Sequence, residues 1–116
     1  MRIPIEIMLR GDNRVFTDTV EHPVEASQWT EADAAAVLKG MLHAISRVQN
    51  PEAADAPDVV LRGVNWIVHP GDAGVVIALE IHSASAVAGP IASTPATLDT
   101  LITRAVSGSN RPSVVH

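Results

Sequence analysis

Residues 2–10 alternate without a break: Ile3, Ile5, Ile7 and Leu9 fall on one side, and Arg2, Pro4, Glu6, Met8 and Arg10 on the other. A period of two specifies a strand with one buried face. Pro4 offers no ladder donor, which places this strand at a sheet edge. Gly11-Asp12-Asn13 is a turn signal. Val15, Phe16, Thr17, Thr19, Val20 and Val24 then predict a second strand within 14–24, so the chain opens as a hairpin.

A helix follows. Thr30 is a good N-cap, and Asp33 three residues on resembles a capping box, with Ser27 as the alternative cap. Val37, Leu38, Met41, Leu42, Ile45 and Val48 make one apolar stripe, which Asn50-Pro51 ends. Pro51–Asp58 reads as an acidic surface connection. Residues 59–69 predict a third strand, Pro70–Gly74 a turn and residues 75–85 a fourth strand, giving a second hairpin. Residues 86–93 are small and apolar, and Gly89-Pro90 marks a break. A last helix begins near Thr94 with Pro95 in its first position; Leu98, Leu101, Ile102, Ala105 and Val106 form its stripe, and Gly108 ends it.

At 116 residues the chain is expected to form a single domain over 1–108, with 109–116 a frayed tail. With 47% hydrophobic residues it has material for one core. The absence of cysteine excludes disulfides, thiolate metal sites and a cysteine nucleophile. A net charge of −5 disfavours nucleic acid and anionic membranes as partners. Pro4, Glu6 and Arg10 interrupt the N-terminal apolar run, so no signal peptide is expected, and no stretch approaches the ~20 apolar residues of a membrane span. A cytoplasmic location follows as the expectation. Lys39 is the only lysine, a bias usual in GC-rich bacterial genomes.

The predicted order is β-β-α-β-β-α. A helix of about five turns returns the third strand parallel to the second, with the fourth filling the gap between them and the first outside the second. The expected fold is therefore α+β: a two-layer sandwich with a four-stranded antiparallel sheet of order 1-2-4-3 and both helices on one face. This topology resembles a ferredoxin-like α/β plait permuted so that its last strand stands first. The resemblance implies no function of its own.

The third and fourth strands are apolar on both faces. Leu61 and Ile67 lie opposite Val64, Trp66 and Val68, and Val76, Ala78 and Ala84 lie opposite Val75, Ile77, Leu79 and Ile81. Two layers cover only one such face. Leu61, Ile67, Val76 and Ala78 are thus candidate interface residues, covered either by a second copy in a homodimer or by residues 86–93 or the C-terminal tail.

The candidate chemistry is sparse. Glu80 and His82 stand two apart on the fourth strand and share a face, where Asn65 joins them if the hairpin closes near Pro70–Ala73. A carboxylate beside an imidazole is an acid–base pair or part of a metal site; the bland reading is a polar rim. His22, His43, His69 and His116 belong to no ligand motif, and no phosphate loop or nucleophile elbow is present. No cofactor or metal is expected. Trp29 is expected to staple the start of the first helix, and Trp66 to lie in the core. The expected role is a homo-oligomeric binding or protein-interaction module working through the open sheet face, and the alternative is a small enzyme or small-molecule binder with a pocket near Glu80, His82 and Asn65.

Overall fold

The computed structural model describes residues 1–51 and 64–110. Its elements run β1 (Arg2–Leu9), β2 (Phe16–Glu21), a short 3-10 turn (Ala26–Gln28), α1 (Glu31–Gln49), β3 (Asn65–Gly71), β4 (Gly74–Ile81), β5 (Ala84–Ile91) and α2 (Pro95–Asn110). The fold is α+β, but the sheet has five strands in the order β2-β1-β5-β4-β3, antiparallel throughout. This overturns the four-stranded 1-2-4-3 sheet and with it the permuted ferredoxin-like plait. Leu61, the first residues of the expected third strand, the acidic segment after Pro51 and the last six residues lie outside the described residues.

The extra strand is the segment that reads as a break. Ala84, Ala86, Ala88 and Ile91 are buried, while Ser85, Val87 and Pro90 point to the other side. Residues 75–85, expected to be one strand, turn back at His82 and Ser83, so that Ile81 pairs with Ala84. Gly89 and Pro90 fit inside β5 because the ladder shifts there. Ile77 pairs with Ala88 and Val75 with Ile91, leaving Gly89 and Pro90 opposite Val76 alone, the count of a β-bulge.

Inserting β5 at the centre moves β1 inward. It pairs with β2 on one side and β5 on the other, so Pro4 does not mark an edge strand. Pro4 is accommodated because the β1–β5 ladder covers only Ile5–Leu9. The true edges are β2 and β3, parallel to each other with three strands between them. The chain between β2 and β3, which includes α1, therefore joins opposite edges of the sheet.

One face of the sheet is covered by the helices. Ile3, Ile5 and Ile7 from β1, Ile77 and Leu79 from β4 and the β5 alanines meet Val37, Leu38, Met41 and Ile45 of α1 and Leu98 and Ile102 of α2 in a single core. Fully burying each of these large side chains stabilises by ~1.5–3 kcal/mol before conformational entropy is set against it. The helix signals hold. Thr30 and Asp33 form the reciprocal capping box, and Asn50 caps the far end of α1. Thr94 accepts from the Thr97 amide at 3.2 Å at the start of α2. The helix continues through Gly108, so that glycine is not its end. Gly40 lets α1 approach β2, since a Cβ there would stand 2.9 Å from Val20 Cγ1. No helix among the described residues is long and apolar enough to cross a membrane.

Candidate functional site

The outer face of the sheet carries the side chains left over by this parity. Reading across the strands, Asn65 of β3 stands opposite Glu80 of β4, Glu80 opposite Ser85 of β5, and Ser85 opposite Met8 of β1. The polar row exists because hairpin closure at Gly71 and Gly74 sets the register that pairs Asn65 with Glu80. Beyond the ends of the strands it opens into a groove of about 580 Å³ that also takes in Arg10, Asp12 and His82.

Glu80 and Asn65 are thus brought together on the outer face. His82 reaches the same groove by another route. It lies in the β4–β5 turn, outside the strand, so the alternation expected to align it with Glu80 does not operate. Arg10 Nη1 makes a long 3.5 Å contact with the His82 carbonyl oxygen. Asp12 is occupied by Arg14, whose Nη2 and backbone N–H each donate to it at 2.8 Å. The Arg14 side chain and amide hold the Asp12 carboxyl down at about 2.

The groove has hydrogen-bonding groups but no assembled acid–base machinery. Among the described residues no hydrogen bond joins Glu80, His82 and Ser85, and no group of three metal-ligating side chains occurs. No polar or charged residue of the described set is buried. The groove therefore offers exposed hydrogen-bonding groups with which a ligand could be oriented.

One row further along the strands the chemistry changes. Ile67 of β3 stands opposite Ala78 of β4, which stands opposite Val87 of β5. The same row continues to Glu6 on β1 and Thr17 on β2. Val76 and Met8 adjoin the apolar part. Ile67 is 62% exposed, Met8 47% and Val87 43%. Three of the four candidate interface residues, Ile67, Val76 and Ala78, share this face, and Leu61 lies outside the described residues. Ala84 does not join them, because it is buried on the helix side of β5. Val87 is the residue sequence reasoning missed; the alternation of Ala84, Ala86 and Ala88 around it was the available signal.

The histidines divide by role. His22 Nε2 bonds Asp33 Oδ1 at 2.9 Å, and its ring meets Trp29 edge-on with centroids 5.8 Å apart. Trp29 Nε1 donates to the Val24 carbonyl at 2.8 Å, so this tryptophan anchors the entry to α1. The Thr30 amide, and then His22, hold the Asp33 carboxyl below its usual range against the opposing effect of burial. Asp18 is raised by burial, but the Thr19 amide and Arg47 outweigh that and leave it lowered. These contacts organise α1 against β2 and lie away from the groove.

Comparison with family models, curated proteins and solved structures finds no match for this chain.

Proposed function

We propose that this chain is a homo-oligomeric protein-interaction module that binds a second copy of itself through the β3–β4–β5 side of its outer sheet face. The observation that carries the reading is the Ile67–Ala78–Val87 row, apolar across three adjacent strands and open to water. Five strands at about 4.8 Å and eight residues at about 3.3 Å give a face of ~600 Å² before side-chain relief is added. That approaches the ~800 Å² per partner of a standard interface. The Ile67–Ala78–Val87 row supplies an apolar centre, and Asn65, Glu80 and Ser85 on one side of it with Glu6 and Thr17 beyond its β5 end supply a polar rim, the usual anatomy of such contacts. As part of the same proposal the module works in the cytosol, without nucleic acid or membrane. Val87→Lys places a charge in the apolar row, at its β5 end. It is expected to lower the assembly mass in native mass spectrometry while leaving the circular dichroism spectrum unchanged. An unchanged assembly would overturn the reading.

The groove supports a second reading as a small-molecule site, because its volume falls in the range of about 300–1,000 Å³ usual for ligands. Mass retained on the native protein and lost in Glu80→Gln would favour it.

A further inference from the structure

The two edges of the sheet are guarded differently. Edge β2 carries Asp18 and Glu21, held in ion pairs by Arg47 and Arg2. Edge β3 reads Asn-Trp-Ile-Val-His-Pro-Gly and contains no aspartate, glutamate, lysine or arginine. Among the described residues it pairs with β4 alone. Edge strands that must stay single are normally blunted by charge, by proline or by a bulge. Among the described residues of this strand the one such device is Pro70, near its end.

The backbone of this edge is set to accept a strand. The β3–β4 hairpin has a two-residue loop that closes on Gly71 and Gly74. Hydrogen-bonded and non-hydrogen-bonded pairs alternate from such a closing pair. His69, Ile67 and Asn65 therefore turn their backbone groups toward β4, and Pro70, Val68 and Trp66 turn theirs outward. The missing N–H of Pro70 falls on the outward side, where β4 does not need it. Trp66 and Val68 each present a donor and an acceptor on the side away from β4.

We propose that a second copy of this chain pairs antiparallel along this edge, β3 to β3, about a two-fold axis at Ile67. The segment Asn65–His69 is a palindrome in chemical type, as antiparallel self-pairing requires. Trp66 meets the partner's Val68 on the helix side, an aromatic–β-branched pair joined by the outward backbone groups. Both residues are half-buried against the core already. Ile67, the most exposed large apolar side chain among the described residues, meets the partner's Ile67 at the close, non-hydrogen-bonded position. Asn65 meets the partner's His69, polar against polar, on the outer face. Two five-stranded sheets become one of ten strands, and their apolar rows run on as a single surface. The inference rests on the self-association proposed above and adds a contact separate from the face. With both contacts, four copies close under perpendicular two-fold axes.

Native mass spectrometry of folded variants separates the two contacts. The unaltered chain is expected as a tetramer and Val87→Lys as a dimer held by the edge. Adding Asn65→Lys with His69→Lys sets like charges opposite each other twice, and should weaken that dimer by about tenfold or more. Adding Asn65→Lys with His69→Glu instead should restore it. A Val87→Lys chain that is monomeric, or a dimer indifferent to the two charge patterns, overturns the edge pairing and leaves the face reading standing. An unaltered chain that is monomeric overturns both.

Discussion

The two faces of one sheet show what neighbouring residues of a strand can be asked to do. On β4, Ile77 and Leu79 are buried under the helices, while Val76, Ala78 and Glu80 look outward. The inner set is packed on every side and fixes the fold. In the row through Ile67, Ala78 and Val87 the outer set is apolar on β3–β5 and turns polar at Glu6 and Thr17 on β1–β2, whereas the row through Asn65, Glu80 and Ser85 is polar on β3–β5 and ends at Met8. Such a change in composition along a single cross-strand row is not needed for folding. It is what an interface with a centre and a rim requires.

Substitutions at adjacent positions sharpen this contrast. Ile77→Ala leaves a cavity in the core and should destabilise by ~2–5 kcal/mol in urea unfolding. Ile67→Ala, on the outer face one strand away, should change the stability of dilute protein by less than ~0.5 kcal/mol and act on assembly instead. Equal losses at the two sites would break the distinction.

Glycines give the next largest effect. Gly74 sits at φ 149°, and a Cβ there would stand 2.8 Å from the Ile91 carbonyl oxygen. Gly74→Ala should cost ~1–3 kcal/mol. Gly11 also has a positive φ, 83°, but a Cβ there would meet nothing within 4 Å. Gly11→Ala should therefore cost less than Gly74→Ala in the same thermal melts, and the reverse order would show that the β4–β5 crowding is misjudged.

Smaller effects belong to the helix entry. Thr30→Ala removes the acceptor for the Asp33 amide and should cost ~1 kcal/mol by urea midpoint. The pH dependence follows from Asp12, Asp18 and Asp33, all lowered in the folded chain. A depressed carboxyl contributes its stability above the unfolded value of about 3.9 and loses it as pH falls through the folded one. Urea midpoints should stay flat with respect to these groups above about pH 5 and decline below about pH 4. For Asp12 the loss extends down to about 2. A decline that begins well above pH 5 would point to another group.

Much of the helical layer was legible because its signals are local. Thr30, Asp33, Asn50 and Pro95 act within a turn of their own positions, and each stands where its chemistry implies. The sheet was misread where local chemistry and tertiary context disagree. Ala84, Ala86 and Ala88 have weak strand preference and little area, so the buried face of β5 is hidden in sequence. They suit a central strand beneath helices because small side chains let the layers approach. His82-Ser83 turns the chain without glycine, proline or asparagine, so one strand appeared where there are two. Pro4 suggested an edge because a missing donor is visible in sequence, whereas the end of the neighbouring ladder at Ile5 is not. That Asn65 and Glu80 share a face was readable from the hairpin turn, but their direct pairing was not, because closure near Pro70–Ala73 would set Asn65 opposite Ala78 and the strands close instead at Gly71 and Gly74.

The central claim is that the β3–β5 side of the outer face is an association surface. Native mass spectrometry of the unaltered chain beside Val87→Lys tests it most directly. The account predicts an even multiple of the 12.2 kDa chain for the first and a smaller assembly for the second. A bare monomer for the unaltered chain, or one identical assembly for both, would contradict it.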